Sequence, residues 1–228
     1  MSAEVSFARS AARERVHEGE KSVPQAGWNQ DGFAREQIRG LVRQVFFSSG
    51  EKPARQVVVS AMEPESDVKN ICRLVGEALA LETAGSIAVA GEYPLSLPDA
   101  QAGEPAAVGG HTPLRESATR IRGNLWLVPA IVKNGDRGAT SLLLSYLGEL
   151  RREFEYSVVE GPIAGDSNEA TTMAQFADGI ILVLSALHTR RVTARNIKQT
   201  LDAAHARILG TILSDRVFPI PQSIYRRL

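Results

Sequence analysis

Short, continuous apolar runs alternate along this chain with longer stretches of helical periodicity, and that alternation predicts the fold. Residues 57–60, 87–90, 125–128, 156–160, 180–184 and 208–213 read as strands of the kind buried on both faces. Residues 33–47, 67–81, 140–153, 168–176 and 189–206 repeat apolar side chains at helical spacing. In the first helix Phe33, Ile38, Leu41, Val42 and Val45 share a face; in the second it is Ile71, Leu74, Val75, Ala78 and Leu79. The later helices show Leu142, Leu143, Tyr146, Leu147 and Leu150, then Ile197, Leu201 and Ala204. Strands and helices in strict alternation imply an α/β fold, a three-layer, doubly wound and mostly parallel sheet with helices on both faces.

Outside these elements the pattern weakens. Residues 1–32 are rich in Ser, Ala, Glu, Arg and Gly and read as a mobile arm ahead of one domain, 33–228. Trp28 within it suits either a partner or the domain's own surface. Residues 91–110 are rich in Pro, Gly and Ala and form a long loop, followed by a short helix over 113–122. The glycine-bearing turn 133–138 has no Lys after Gly138, so it reads as a cap for the next helix.

Composition removes several function classes. The chain has 26 basic and 26 acidic residues in 228, so no electrostatic footprint for nucleic acid or an anionic membrane stands out. The single cysteine, Cys72, excludes an internal disulfide, fits a reducing cytosol and falls on the apolar side of its helix. No apolar run approaches the roughly 20 residues that cross a bilayer, and residues 1–15 lack the apolar core of a secretory signal. His17, His111, His188 and His205 have neither ligand spacing nor companion cysteines, so no metal site is expected. His205 falls late in the last helix, where a cation suits the dipole. Arg190 and Arg191 follow the fifth strand on the rim where ligands bind in such sheets. A solvated helix start accounts for them more simply.

The chemically informative stretch is Gln56 to Asn70: a buried strand, a tight turn and a helix, the layout of a phosphate-binding loop. A working loop uses glycines to aim backbone N–H groups at phosphate and a Lys to neutralise it. This turn has no glycine and carries Glu63, Glu65 and Asp67 where the anion would sit.

Five further segments, in order, carry a resemblance: Glu36-Gln37-Ile38-Arg39, Val58-Val59-Ser60-Ala61, Glu155 through Pro162, Ala177 through Val183, and Pro219-Ile220-Pro221 to Leu228. Over about residues 33–228 the chain resembles the bacterial tyrosine autokinases of capsule and exopolysaccharide synthesis. These are relatives of the partition and division-site ATPases with a deviant phosphate loop. The resemblance implies a P-loop NTPase-like domain. Active members carry Pro-Gly-Glu-Gly-Lys-Ser-Thr in the loop. Alignment on Ser60-Ala61 and Glu65 puts Ser66 at the second glycine, Asp67 at the Lys and Val68 at the magnesium-binding hydroxyl. Sliding the register to use Lys69 leaves Asn70 at the hydroxyl position and still no glycines. The second acidic motif is reduced to Glu92, the third is Glu160 in place of Asp, and Ser214 stands where an Asn often reads adenine.

A unit charge near phosphate in a partly solvated site is worth about 4 kcal/mol at about 4 Å. At about 1.4 kcal/mol per tenfold, exchanging Lys for Asp alone costs several decades of affinity. Glu65, Ser66 and Asp67 sit where they can cap the helix themselves. The resemblance further implies ring assembly through Glu-x-x-Arg-x-x-Arg, of which Glu36 and Arg39 match while Arg43 follows Val42. It also implies a tyrosine-rich tail, of which only Tyr225 is present.

The expectation is a catalytically inactive kinase-like adaptor, with no cofactor. It would be cytoplasmic and reach the inner membrane through a polysaccharide co-polymerase partner, with possible self-association and no nucleic acid. The alternatives are a divergent autokinase using ATP, magnesium, Lys69 and Glu160, and a positioning-type ATPase homologue.

Overall fold

The computed structural model describes residues 4–6, 30–48, 52–91, 113–130, 139–166 and 168–215. The elements, in chain order, are β1 (Glu4–Ser6), α1 (Gln30–Phe46), β2 (Gln56–Ala61), α2 (Val68–Glu82), β3 (Ile87–Gly91), α3 (Leu114–Ser117) and β4 (Thr119–Arg122). They continue with β5 (Leu125–Pro129), α4 (Ala139–Glu153), β6 (Tyr156–Glu160), α5 (Glu169–Phe176), β7 (Gly179–Ser185), α6 (Arg191–Ala203) and β8 (Ile208–Ser214).

The strands form one sheet in the order β1-β8-β7-β2-β6-β3-β5-β4, parallel except for the β4–β5 pair. The apolar runs are double-faced because both faces are covered. Val57, Val59, Ile181 and Val183 pack with α1 and α2, while Val58, Ile180 and Leu182 pack with α4, α5 and α6. This is the period-two partition a pleated strand enforces. From β2 the chain goes to β3 on one side and later reaches β7 on the other. The carboxyl end of β2 is therefore a topological switch point, where ligands sit in sheets of this kind.

Polar groups pin the central strands from below. Asp178 Oδ2 accepts the backbone N–H groups of Arg55 and Gln56 at 2.7 and 2.9 Å, and its Oδ1 accepts from Arg151 at 3.2 Å. Gln56, itself buried, donates through Nε2 to Leu147 O at 2.9 Å. One carboxylate thus ties the starts of β2 and β7 to the last turn of α4.

Four sequence expectations are corrected. Residues 113–122 are not one helix: α3 is a single turn and Thr119–Arg122 is an antiparallel strand, turned by Gly123 at φ 41°. Residues 4–6 and 30–32, assigned to the arm, belong to β1 and α1. β1 joins β8 through its backbone, which leaves little side-chain signal in so short a strand. The last helix starts at Arg191, after a turn in which Thr189 Oγ1 accepts the Ser185 N–H, and ends at Ala203. His205 consequently lies beyond that helix, in a left-handed conformation at φ 55°, and not on its final turn. Phe33 is more than one-third exposed, so the buried face of α1 begins at Ile38.

Arg39 and Arg43 project from α1 onto Glu82 at the end of α2. Arg43 reaches both carboxylate oxygens at 3.0 Å, and Arg39 Nε lies 3.2 Å from Oε1. Glu36 lies 3.8 Å from Arg39, a weaker neighbour on the same helix. The hydrogen bond from Arg43, followed by the positive charges of Arg43 and Arg39, holds the Glu82 carboxyl below its ordinary range. A depressed carboxyl contributes stability above its unfolded pKa of about 4.3 and loses it as pH falls through the lower folded value. Glu82→Gln is expected to lower the urea midpoint at pH 7, with the difference from the unaltered protein shrinking both in high salt and below about pH 4.

Candidate functional site

After β2 the chain turns through Met62 to Asp67 before entering α2. Among the N–H groups that a phosphate loop would turn inward, several are taken by the chain's own acceptors. Met62 N–H binds Val183 O at 2.9 Å, Ser66 N–H binds Glu63 O at 3.4 Å, and Val68 N–H binds Ser66 O at 2.9 Å. Asp67 is the N-cap of α2: its Oδ1 accepts the Asn70 N–H at 3.1 Å and its backbone carbonyl accepts Ile71 N–H at 3.2 Å. Of the three residues expected to cap the helix, only Asp67 does so. Glu65 is exposed on the turn, and the Ser66 hydroxyl is buried without a hydrogen-bond partner. Asp67→Ala is expected to lower stability by about 1 kcal/mol, the usual value of a side-chain cap, read as a shift in urea midpoint.

The remaining positions depart further from phosphate chemistry. Val68, at the family's magnesium-hydroxyl position, is buried at the start of α2 in the core shared with α1 and β2. Lys69 is half-buried in the first turn of α2, and the Asn70 side chain accepts from Arg73 Nη2 at 3.1 Å. Glu160 is half-buried at the end of β6, in register with Val59 on β2. Ser214 is buried at the end of β8, two strands from β2. Its hydroxyl donates to either Leu184 O at 3.2 Å or Asp215 Oδ2 at 3.1 Å. Glu92, Tyr225, Trp28 and the turn 133–138 lie outside the described residues. The fold therefore gathers Glu65 to Asn70, Glu160 and Ser214 along one carboxyl edge, with Glu36, Arg39 and Arg43 on α1.

A second contact closes the edge. The segment after β6 is strapped across the end of β2: Gly161 N–H binds Val59 O and Ala164 N–H binds Ala61 O, both at 2.8 Å. Ser60 Oγ donates to Pro162 O. Glycine is required at 161 because a Cβ there would come within 2.7 Å of Val58 Cγ1. Beneath this edge Cys72 is fully buried; burial first, and the Glu160 charge second, push its thiol well above the ordinary range. That makes it an unreactive core residue.

A cavity of about 300 Å³ opens beside the strap, walled by Leu143, Tyr146 and Met173 with Glu160, Pro162 and Glu169. None of residues 62–70 lines it, and it carries two carboxylates. A triphosphate needs inward N–H groups, a cation and a magnesium-binding hydroxyl. Here it would meet Glu63, Glu65 and Asp67, occupied N–H groups and a buried valine. The orphaned Ser66 hydroxyl is a spare donor, too little to offset three carboxylates. The residues present do not fit a magnesium nucleotide.

Two participants escaped the sequence: Glu82, whose partners lie 39 or more residues away, and the Ser60–Pro162 strap. A carboxylate ending α2 opposite arginines four apart on α1 was the available signal for the first. For the strap, only Gly161-Pro162 marked a break.

Sheet order, helix placement and the strand–turn–helix at the switch point define a P-loop NTPase-like domain. No protein-family model matches the chain, and no curated protein sequence matches it. Solved structures do. The chain is similar to the kinase domain of the Escherichia coli tyrosine kinase ETK, at 14% identity and TM-score 0.65, over 95% of this chain and 92% of that one. It is similar to the VpsO kinase domain, at 16% identity and TM-score 0.62, over 82% and 98%. The MinD cell division protein of Aquifex aeolicus matches at 16% identity and TM-score 0.54, over 76% and 73%. At these identities the likeness establishes the fold. These neighbours, tyrosine kinase and kinase domains and a cell division protein, share the fold that the sequence motifs pointed to.

Proposed function

We propose that this chain is a catalytically inactive, tyrosine-kinase-like adaptor that regulates the polymerisation and export of a capsular or exopolysaccharide. It works at the cytoplasmic face of the inner membrane beside a chain-length co-polymerase, through which it reaches the bilayer. The observation that carries this reading is the turn after β2: Asp67 and the chain's own carbonyls take up the N–H groups of 62, 66, 68, 70 and 71, and three carboxylates stand where a triphosphate would sit. Polysaccharide synthesis enters through the sequence resemblance and agrees with the kinase-domain fold. In this reading the α1 arginines hold α1 on α2 through Glu82 and do not bridge subunits.

Incubation with γ-labelled ATP and magnesium tests it. No phosphate is expected on Tyr225 or any other tyrosine. Label on tyrosine that disappears in Lys69→Ala would establish the divergent autokinase instead.

A further inference from the structure

The chain is neutral overall, but its charge is segregated. From residue 179 to 201 there is no Asp or Glu, while Arg190, Arg191, Arg195 and Lys198 give this stretch four formal positive charges. Lys198 is paired with Asp202 at 2.5 Å. Arg190, Arg191 and Arg195 are all exposed and have no ion-pair partner among the described residues. Elsewhere Arg39, Arg43, Arg73, Arg151 and Arg152 each contact a carboxylate, while exposed Arg35 and Arg122 stand singly without an ion pair among the described residues.

Two bare aliphatics stand among these cations. Leu187, in the turn leaving β7, is 63% exposed, and Val192, in the first turn of α6, is 69% exposed. At about 100° per residue, Val192 and Arg195 project from the side of α6 opposite the buried Ile197 and Leu201. The apolar side chains protrude; neither the cavity beside β6 nor the groove between α1 and α2 is lined by them. A peptide partner seats its anchors in pockets. Protruding aliphatics ringed by unpaired guanidinium groups suit a flat, anionic, apolar-cored surface. The arginines meet phosphates and the aliphatics enter the boundary between headgroups and acyl chains.

We propose that the corner between β7 and α6, residues 187–195, is a contact site for anionic phospholipid. This goes beyond the adaptor reading, in which membrane attachment belongs to the partner, and it does not depend on that reading.

Co-sedimentation of the full chain with vesicles tests it. Binding is expected to equal parts phosphatidylglycerol and phosphatidylcholine, to fall as salt rises, and to be near background with phosphatidylcholine alone. An arginine near an anionic leaflet contributes about fivefold to partitioning, so Arg190→Ala/Arg191→Ala/Arg195→Ala predicts a loss of about a hundredfold. Leu187→Ser/Val192→Ser, which keeps every charge, is expected to weaken the binding that survives at high salt. The charge-matched control Arg35→Ala/Arg73→Ala/Arg122→Ala is expected to bind like the unaltered chain. Equal losses in the two arginine triples would overturn the proposal in favour of diffuse charge. Indifference to anionic vesicles, with patch-dependent binding of poly-glutamate, would overturn it in favour of an acidic protein partner.

Discussion

Millimolar ATP with magnesium is expected to leave the thermal unfolding transition of this protein in place. A ligand that binds only the folded state adds RT ln(1 + [L]/Kd). A working site with Kd of about 10 μM would gain about 4 kcal/mol at about 5 mM nucleotide, or about 10 °C in a domain of this size. The turn between β2 and α2 offers nothing to generate that gain. Its N–H groups at 62, 66, 68, 70 and 71 already have acceptors, and its side chains are acidic. Reversing one charge with Asp67→Lys removes a repulsion, but leaves Val68 in the core and Glu63 and Glu65 on the turn. That variant is expected to remain unresponsive and to lose the cap as well. A transition raised by about 10 °C in the unaltered protein would mean that the turn reopens around nucleotide.

Ile181→Ala is expected to cost about 4 kcal/mol, towards the top of the range for truncating a large buried aliphatic. Ile181 is fully buried on β7, with β2 on one side and β8 on the other, and faces the layer of α1 and α2. A strand enclosed on both edges and both faces cannot collapse around the missing atoms, so transfer and cavity terms add. Against a total stability of about 5–15 kcal/mol, the change takes a large share. Urea unfolding followed by far-ultraviolet circular dichroism measures it. Val192→Ala, on the solvent face of α6, is expected to change stability by less than about 0.5 kcal/mol. Similar costs at the two positions would contradict the placement of β7 inside the sheet.

The central strands were legible because their burial is complete on both faces: Val57-Val58-Val59 and Ile180 to Val183 admit no amphipathic alternative. The helices were legible where a long apolar stripe met a sheet. The misread pieces lack that signature. β4 reads Thr119-Arg120-Ile121-Arg122, and its edge position leaves most of it in solvent. Its place is set by pairing with β5 and by Arg120 lying over Trp126 at 5.2 Å, information held in another strand. At the candidate site the loss of phosphate-binding residue types was visible in the turn itself. The use made of them was not: whether Ser66 or Asp67 caps α2 depends on backbone direction at the helix start. The Glu82 clamp depends on how α1 crosses α2.

The antiparallel strand β4 at one margin of the described sheet bears on how copies of this molecule meet in concentrated solution. An outermost strand is a template on which a neighbouring molecule can extend the ladder. This one is four residues long, has a register shift between Arg120 and Arg122, and carries two arginines, of which Arg120 folds back over Trp126. Edge-to-edge growth would bring like charges together across a kinked seam. That margin therefore resists fibre formation.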